Sequence, residues 1–60
     1  MIYKVVCVYG TEGIEVEKQI MNVTKVETDD NFVTFFNDDG LALASFSNDG
    51  ILYYELVSLG

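Results

Sequence analysis

The chain has 60 residues and a mass of 6.7 kDa; half of it is apolar and 13% aromatic, so it reads as one small domain, 1–60, with enough apolar material for a packed core. It carries three Lys and ten acids for a net charge of −7, a single Cys, and no His, Arg, Trp or Pro. This composition excludes an internal disulfide and the usual Cys/His zinc sites. It also removes the commonest general base and the guanidinium that clamps phosphates, and leaves no material for a basic nucleic-acid groove.

Eight Val and four each of Ile, Thr, Tyr and Phe give the chain a strand-forming composition. The first strand is Ile2–Tyr9, apolar throughout except for Lys4, and Gly10–Gly13 is the turn that ends it. The next stretch, Ile14–Glu27, is ambiguous. Ile14-Glu15-Val16-Glu17 alternates as a strand does, and Met21-Asn22-Val23 alternates in the opposite parity. A β-bulge near Lys18–Ile20 reconciles the two; so does a short amphipathic helix within 15–26, since Val16, Ile20, Val23 and Glu27 stand at helical spacing. The Val, Ile and Thr content of Ile20–Thr28 favours the strand. Asp29-Asp30-Asn31 is a turn, followed by strands at Phe32–Asn37, Leu41–Ser47 and Ile51–Ser58. Asp39-Gly40 and Asp49-Gly50 separate these last three, and Asp-Gly between apolar runs signals a hairpin. The expected fold is all-β: a five-strand antiparallel meander forming a small SH3-like barrel or sheet, with α+β as the alternative. The likeness of Phe36–Leu41 to Phe46–Ile51, ten residues on, fits two successive hairpins of a meander.

If both Asp-Gly pairs are two-residue turns, Phe36 faces Leu43, which faces Leu56, and Val33 faces Phe46, which faces Tyr53. Phe32, Phe36, Leu43, Leu52 and Leu56 then share one side of the sheet, and Val33, Phe35, Phe46, Tyr53 and Val57 the other. A three-residue loop would shift these pairings. Two apolar faces exceed what 60 residues can cover. Self-association is therefore expected, a two-fold dimer first, with Phe32, Phe36, Leu43, Leu52, Tyr54 and Leu56 as interface candidates.

The chemistry-bearing residues are few. Cys7 lies in Val5-Val6-Cys7-Val8 with no neighbouring cation in sequence to lower its pKa, and reads as a structural core residue. Neither Asp-Gly loop supplies the first acid of an EF-hand, which leaves only a weak metal site spread over neighbouring acidic turns as an alternative. No residue is assigned a catalytic, cofactor-binding or metal role, and the chain reads as a non-enzymatic binding protein. Its acids, above all Asp29, Asp30, Asp38, Asp39, Asp49 and Glu55, would draw a basic protein partner, including one that itself binds nucleic acid. Direct nucleic-acid contact and membrane insertion are not expected. No signal-peptide pattern is evident, and the lone Cys suits a reducing compartment, so the expected location is cytoplasmic.

Asn22-Val23-Thr24-Lys25-Val26-Glu27, the run Phe32 to Gly40, and Leu43-Ala44-Ser45-Phe46 leading to Tyr53-Tyr54-Glu55-Leu56 together carry a resemblance. Their layout is similar to small acidic β-barrel proteins of phages and mobile elements of Gram-positive bacteria. Some proteins of that type inhibit host defence by occupying nucleic-acid-binding surfaces. The resemblance implies a binding role and transfers no catalytic residue to any position of this chain.

Overall fold

The computed structural model describes residues 1–59. They form six strands: β1 (Ile2–Tyr9), β2 (Ile14–Ile20), β3 (Lys25–Thr28), β4 (Phe32–Phe36), β5 (Ala42–Ser47) and β6 (Ile51–Ser58). Among the described residues there is no helix, so the helical alternative for 15–26 does not form. None is therefore long and apolar enough to cross a membrane. All pairings are antiparallel. The first sheet has the order β2-β1-β6 and the second β3-β4-β5.

The all-β expectation holds, and β1 and β6 have the expected bounds. The expected second strand is in fact two. Ile14–Glu27 breaks at Met21–Thr24, where Asn22 takes a left-handed φ of 64° and turns the chain from one sheet to the other. The polar groups of this link find partners on both sheets. Val23 donates its N–H to the Met1 carbonyl at 2.9 Å, and Thr24 donates to the Phe36 carbonyl at 2.8 Å. With Val23 buried between the sheets, the parity change is a corner that needs neither helix nor bulge.

No barrel closes. Strand order around the molecule would make a ring if β2 paired with β3 and β5 with β6, but neither pair forms. The expected β5–β6 hairpin at Asp49-Gly50 is corrected, and the turn itself shows why. A two-residue hairpin of the usual kind needs positive φ at the glycine. Gly40 has φ 81°, whereas Gly50 is not among the positive-φ residues. The Ser47–Gly50 turn is closed by the Gly50 N–H on the Ser47 carbonyl at 3.0 Å, and it splays the flanking strands. Asn48 then ties the turn to the β3–β4 loop: its backbone N–H donates to the Asn31 carbonyl at 2.9 Å and its side-chain amide to the Asp29 carbonyl at 2.8 Å. The Gly50 carbonyl accepts the Val8 N–H at 2.8 Å, which starts β6 along β1. Leu43 therefore does not face Leu56, nor Phe46 Tyr53. Instead Tyr3 faces Leu56, Lys4 faces Glu55, Val5 faces Tyr54 and Val6 faces Tyr53.

The β4–β5 hairpin keeps most of its expected register for an unexpected reason. Its loop has three residues, Asp38-Asp39-Gly40, with Asn37 and Leu41 closing it at 3.0 Å. That loop places Phe36 opposite Ala42. A bulge at Leu43 then restores Phe35–Ala44, Thr34–Ser45, Val33–Phe46 and Phe32–Ser47.

The core lies between the sheets: Val5 and Cys7 from β1, Ile20, Val23, and Val33 and Phe35 from β4. Phe35 is its largest fully buried side chain. Its ring meets Tyr3 at 5.5 Å and Tyr54 at 5.5 Å across the interlayer space, and Phe46 at 6.0 Å within its own sheet. Edge-on and tilted contacts of this kind add to the area buried. Cys7 is buried and unpaired within this core.

Candidate functional site

The apolar residues that the core leaves out define the surface. All five leucines of the chain are exposed: Leu41 by 64%, Leu43 by 39%, Leu52 by 54%, Leu56 by 46% and Leu59 by 78%. The core is built instead from Val, Ile, Phe and Cys. The leucines fall within the last twenty residues of the sequence, on or beside β5 and β6. These are edge strands of different sheets, consecutive in the chain and unpaired with each other.

β6 is the most apolar of the four edges. Leu52, Tyr53, Tyr54, Leu56 and Val57 are all exposed along it. Leu52 and Val57 sit at its two bulges against β1, so the regular ladder covers only Tyr53–Leu56. Bulges discourage a foreign strand from pairing along the full edge, and contact through side chains is favoured. The single charge of the strand, Glu55, is held by the Lys4 ammonium at 2.8 Å, with Glu17 at 3.9 Å on the opposite side of Lys4 and the Tyr53 ring centroid 5.8 Å away. The hydrogen bond and the charge of Glu55 raise the Lys4 pKa above its ordinary value.

The six interface candidates are thus dispersed over three places. Leu52, Tyr54 and Leu56 lie together on β6. Phe32 and Phe36 lie on the outer face of the second sheet, with Thr34 between them. Leu43 is the bulge residue of β5. Of the opposite set, Val33, Phe35 and Phe46 share the inner face, whereas Tyr53 stands on the outer face of the first sheet beside Lys4.

The acidic candidates are dispersed too. Asp29, Asp30 and Asp49 belong to two loops that Asn48 ties together at one end of the molecule. Asp38 and Asp39 lie at the other end of β4, and Glu55 is bound to Lys4. Asp29 is also structural: its Oδ1 accepts the backbone N–H groups of Asn31 and Phe32, each at 2.7 Å, which lowers its pKa. Among the described residues no three His, Cys, Asp or Glu side chains gather in a geometry that could hold a metal ion.

A shallow depression of about 440 Å³ opens on the outer face of the second sheet, lined by Glu27, Thr28, Asp29, Thr34 and Phe36. The hydroxyls of Thr34 and Ser45 meet across this face at 3.0 Å. Lys25 stands at one side, 3.3 Å from Glu27 and 5.2 Å from the Phe36 ring centroid.

Sequence reasoning missed this lysine geometry. Every lysine lies over an aromatic ring: Lys4 over Tyr53, Lys18 over Tyr9 at 5.7 Å, and Lys25 over Phe36. Nothing in the spacing of these pairs announces them, because each depends on cross-strand register.

Comparison with protein-family models, with curated proteins and with solved structures finds no match.

Proposed function

We propose that the protein is a non-enzymatic protein-binding module whose main contact surface is the β6 edge. One observation carries this reading: all five leucines stand outside a core that excludes them, with Leu52 and Leu56 on β6 and Leu59 just beyond its end. Fully burying one such side chain contributes about 1.5–3 kcal/mol, so a partner covering three or four gains a substantial binding term. The excess of acids over lysines favours a basic partner and fast, salt-sensitive encounter. Inhibition of a partner by masking its basic surface, as the phage-type resemblance implies, is one form this activity takes.

The test is the double variant Leu52→Lys, Leu56→Lys, compared with wild type as bait in the native cell. Both residues are exposed, so the fold is retained. A partner held by wild type and released by the variant supports the reading. A set of co-purifying proteins unchanged by the two lysines overturns it.

A second reading is self-association through the same strand. It is favoured by the pairing of Glu55 with Lys4, which leaves β6 free of net charge in a chain of −7. Two copies can meet there without opposing acids, and the remaining repulsion makes association tighten as salt rises. Sedimentation equilibrium in low and high salt separates the two readings: a 6.7 kDa monomer under every condition removes the second.

A further inference from the structure

Among the described residues β3 is an open edge: it bonds to β4 on one side and to no strand on the other. Its register against β4 pairs Lys25 with Phe36, Val26 with Phe35, Glu27 with Thr34 and Thr28 with Val33. Phe35 is buried between the sheets, so Val26 turns inward and is half-buried against the core, while Lys25 and Glu27 share the outer face and are both exposed. Just beyond the strand, Asp29 donates its N–H to the Phe32 carbonyl at 3.0 Å, which turns its backbone towards β4. An antiparallel ladder alternates residue by residue. Glu27 and Lys25 therefore also direct their N–H and C=O groups to β4, and those of Val26 and Thr28 point out to the open edge.

Such an edge pairs with a copy of itself about a two-fold axis only if one residue faces its own copy, with the residues on either side exchanging partners. Lys25 and Glu27 are unsuited to that place, because each would meet its own charge and each has its backbone groups on β4. Thr28 would set Glu27 against Asp29, acid against acid. Val26 meets both requirements. Its N–H and C=O face outward, ready to exchange two bonds with the copy, and Lys25 then stands opposite Glu27 of the copy, twice. The other edges have no such register. Glu15 and Glu17 share a face of β2 with no lysine among them, β5 has no charge and β6 has only one.

We propose that β3 is a homodimer edge, on which two copies of the chain pair antiparallel about Val26 and join their β3-β4-β5 sheets into one of six strands. Lys25 and Glu27, already 3.3 Å apart within one chain, form an alternating set of four charges with those of the copy. The same charges deter a strand of unmatched sequence. On the inner face the two Val26 side chains meet beside the core. The strand has only four residues, so the contact is smaller than a standard interface and forms at high protein concentration. It lies on the other sheet from β6 and requires no role for that strand.

The experiment is sedimentation equilibrium from micromolar to millimolar protein at physiological salt, with amide hydrogen exchange alongside. Wild type is expected to dimerise as concentration rises, and the Val26 amide to exchange more slowly as it does. Lys25→Glu and Glu27→Lys each weaken the dimer about tenfold, because each puts two like-charge pairs in place of two opposite ones. Net charge alone predicts the reverse for Glu27→Lys, which makes an acidic chain less acidic. An equimolar mixture of the two variants restores the wild-type affinity, since two acids on one edge then face two lysines on the other. That recovery also shows that both variants fold. The double variant Leu52→Lys, Leu56→Lys leaves the dimer intact. A monomer at every concentration, a dimer that Glu27→Lys leaves unchanged or tightens, a mixture no tighter than its components, or a dimer abolished by the β6 double variant overturns the proposal.

Discussion

Phe35 is the side chain on which the two sheets meet, and Phe35→Leu measures what that meeting is worth. Leucine keeps most of the apolar transfer energy but loses the ring geometry towards Tyr3 at 5.5 Å, Tyr54 at 5.5 Å and Phe46 at 6.0 Å. Each aromatic pair contributes about 0.5–1.5 kcal/mol beyond its buried area. The three share one ring and do not add fully, so a loss of about 2 kcal/mol is expected. For a domain of this size that corresponds to a fall in Tm of about 10 °C. Phe35→Ala costs about 4 kcal/mol, comparable with the whole stability of a 60-residue domain, and leaves the chain unfolded at room temperature. Urea titration followed by far-UV circular dichroism and tyrosine emission reads both variants; the chain has no Trp to complicate the signal. Phe32→Leu is the control, since that ring lies on the outer face and its loss stays within about 0.5 kcal/mol. If Phe35→Leu and Phe32→Leu shift the midpoint equally, the aromatic cluster is not what joins the sheets.

Asn22 holds φ at 64°, so Asn22→Ala should cost about 1 kcal/mol and Asn22→Gly should be neutral or slightly stabilising, as read by thermal melts. Asp29 has a lowered pKa in the folded state, so its contribution is present above the ordinary value of 3.8 and is lost as pH falls below it through the folded value. Melting wild type and Asp29→Asn between pH 2 and pH 6 should show a steeper acid loss in wild type; parallel curves would mean the two N–H bonds of Asp29 do not persist in solution. Lys4 has a raised pKa, so the stability it supplies is complete below the ordinary value of 10.5 and disappears as pH rises above that through the folded value. Lys4→Gln should therefore melt below wild type at neutral pH, and the gap should close only in strongly alkaline buffer.

Strand identity was legible wherever one physical signal dominated. β1 and β6 are long apolar runs, the first ended and the second begun by a turn, and they span Ile2–Tyr9 and Ile51–Ser58 as the sequence pattern indicates. Pairing was less legible. Asp39-Gly40 and Asp49-Gly50 look alike in sequence, yet Asn37 sets the first turn and Asn48 the second. The Asn37 side chain accepts the N–H groups of Asp39 and Leu41 at 2.9 and 3.0 Å, which holds the first loop in a hairpin. Asn48 instead reaches out of its own turn to Asp29 and Asn31, and this long-range bond sends β6 to β1. Local turn chemistry cannot foretell a hydrogen bond to a loop seventeen residues or more away in the chain. The surplus of apolar side chains was legible from composition. Their location was not, because a change of partner strand reassigns every side chain of β6.

The four open edges explain why that surplus comes to rest on β6. A closed ring would have no edges; breaking it at β2/β3 and at β5/β6 creates four. β2 places Glu15, Glu17 and Lys18 along its length, and charge keeps foreign strands away. β3 has only four residues, two of them Lys25 and Glu27. β5 is kinked by the bulge at Leu43. β6 is an edge of eight residues with one charge, and that charge is paired with Lys4 of the neighbouring strand β1. Its two bulges block extended strand pairing, yet they expose Leu52 and Val57. A sheet protected only against aggregation gains nothing by presenting Leu52 and Val57 at those bulges. If β6 docks a partner as proposed, Leu52, Leu56 and Val57 supply affinity and the bulges supply specificity, by admitting a shaped apolar surface and refusing a plain β-strand.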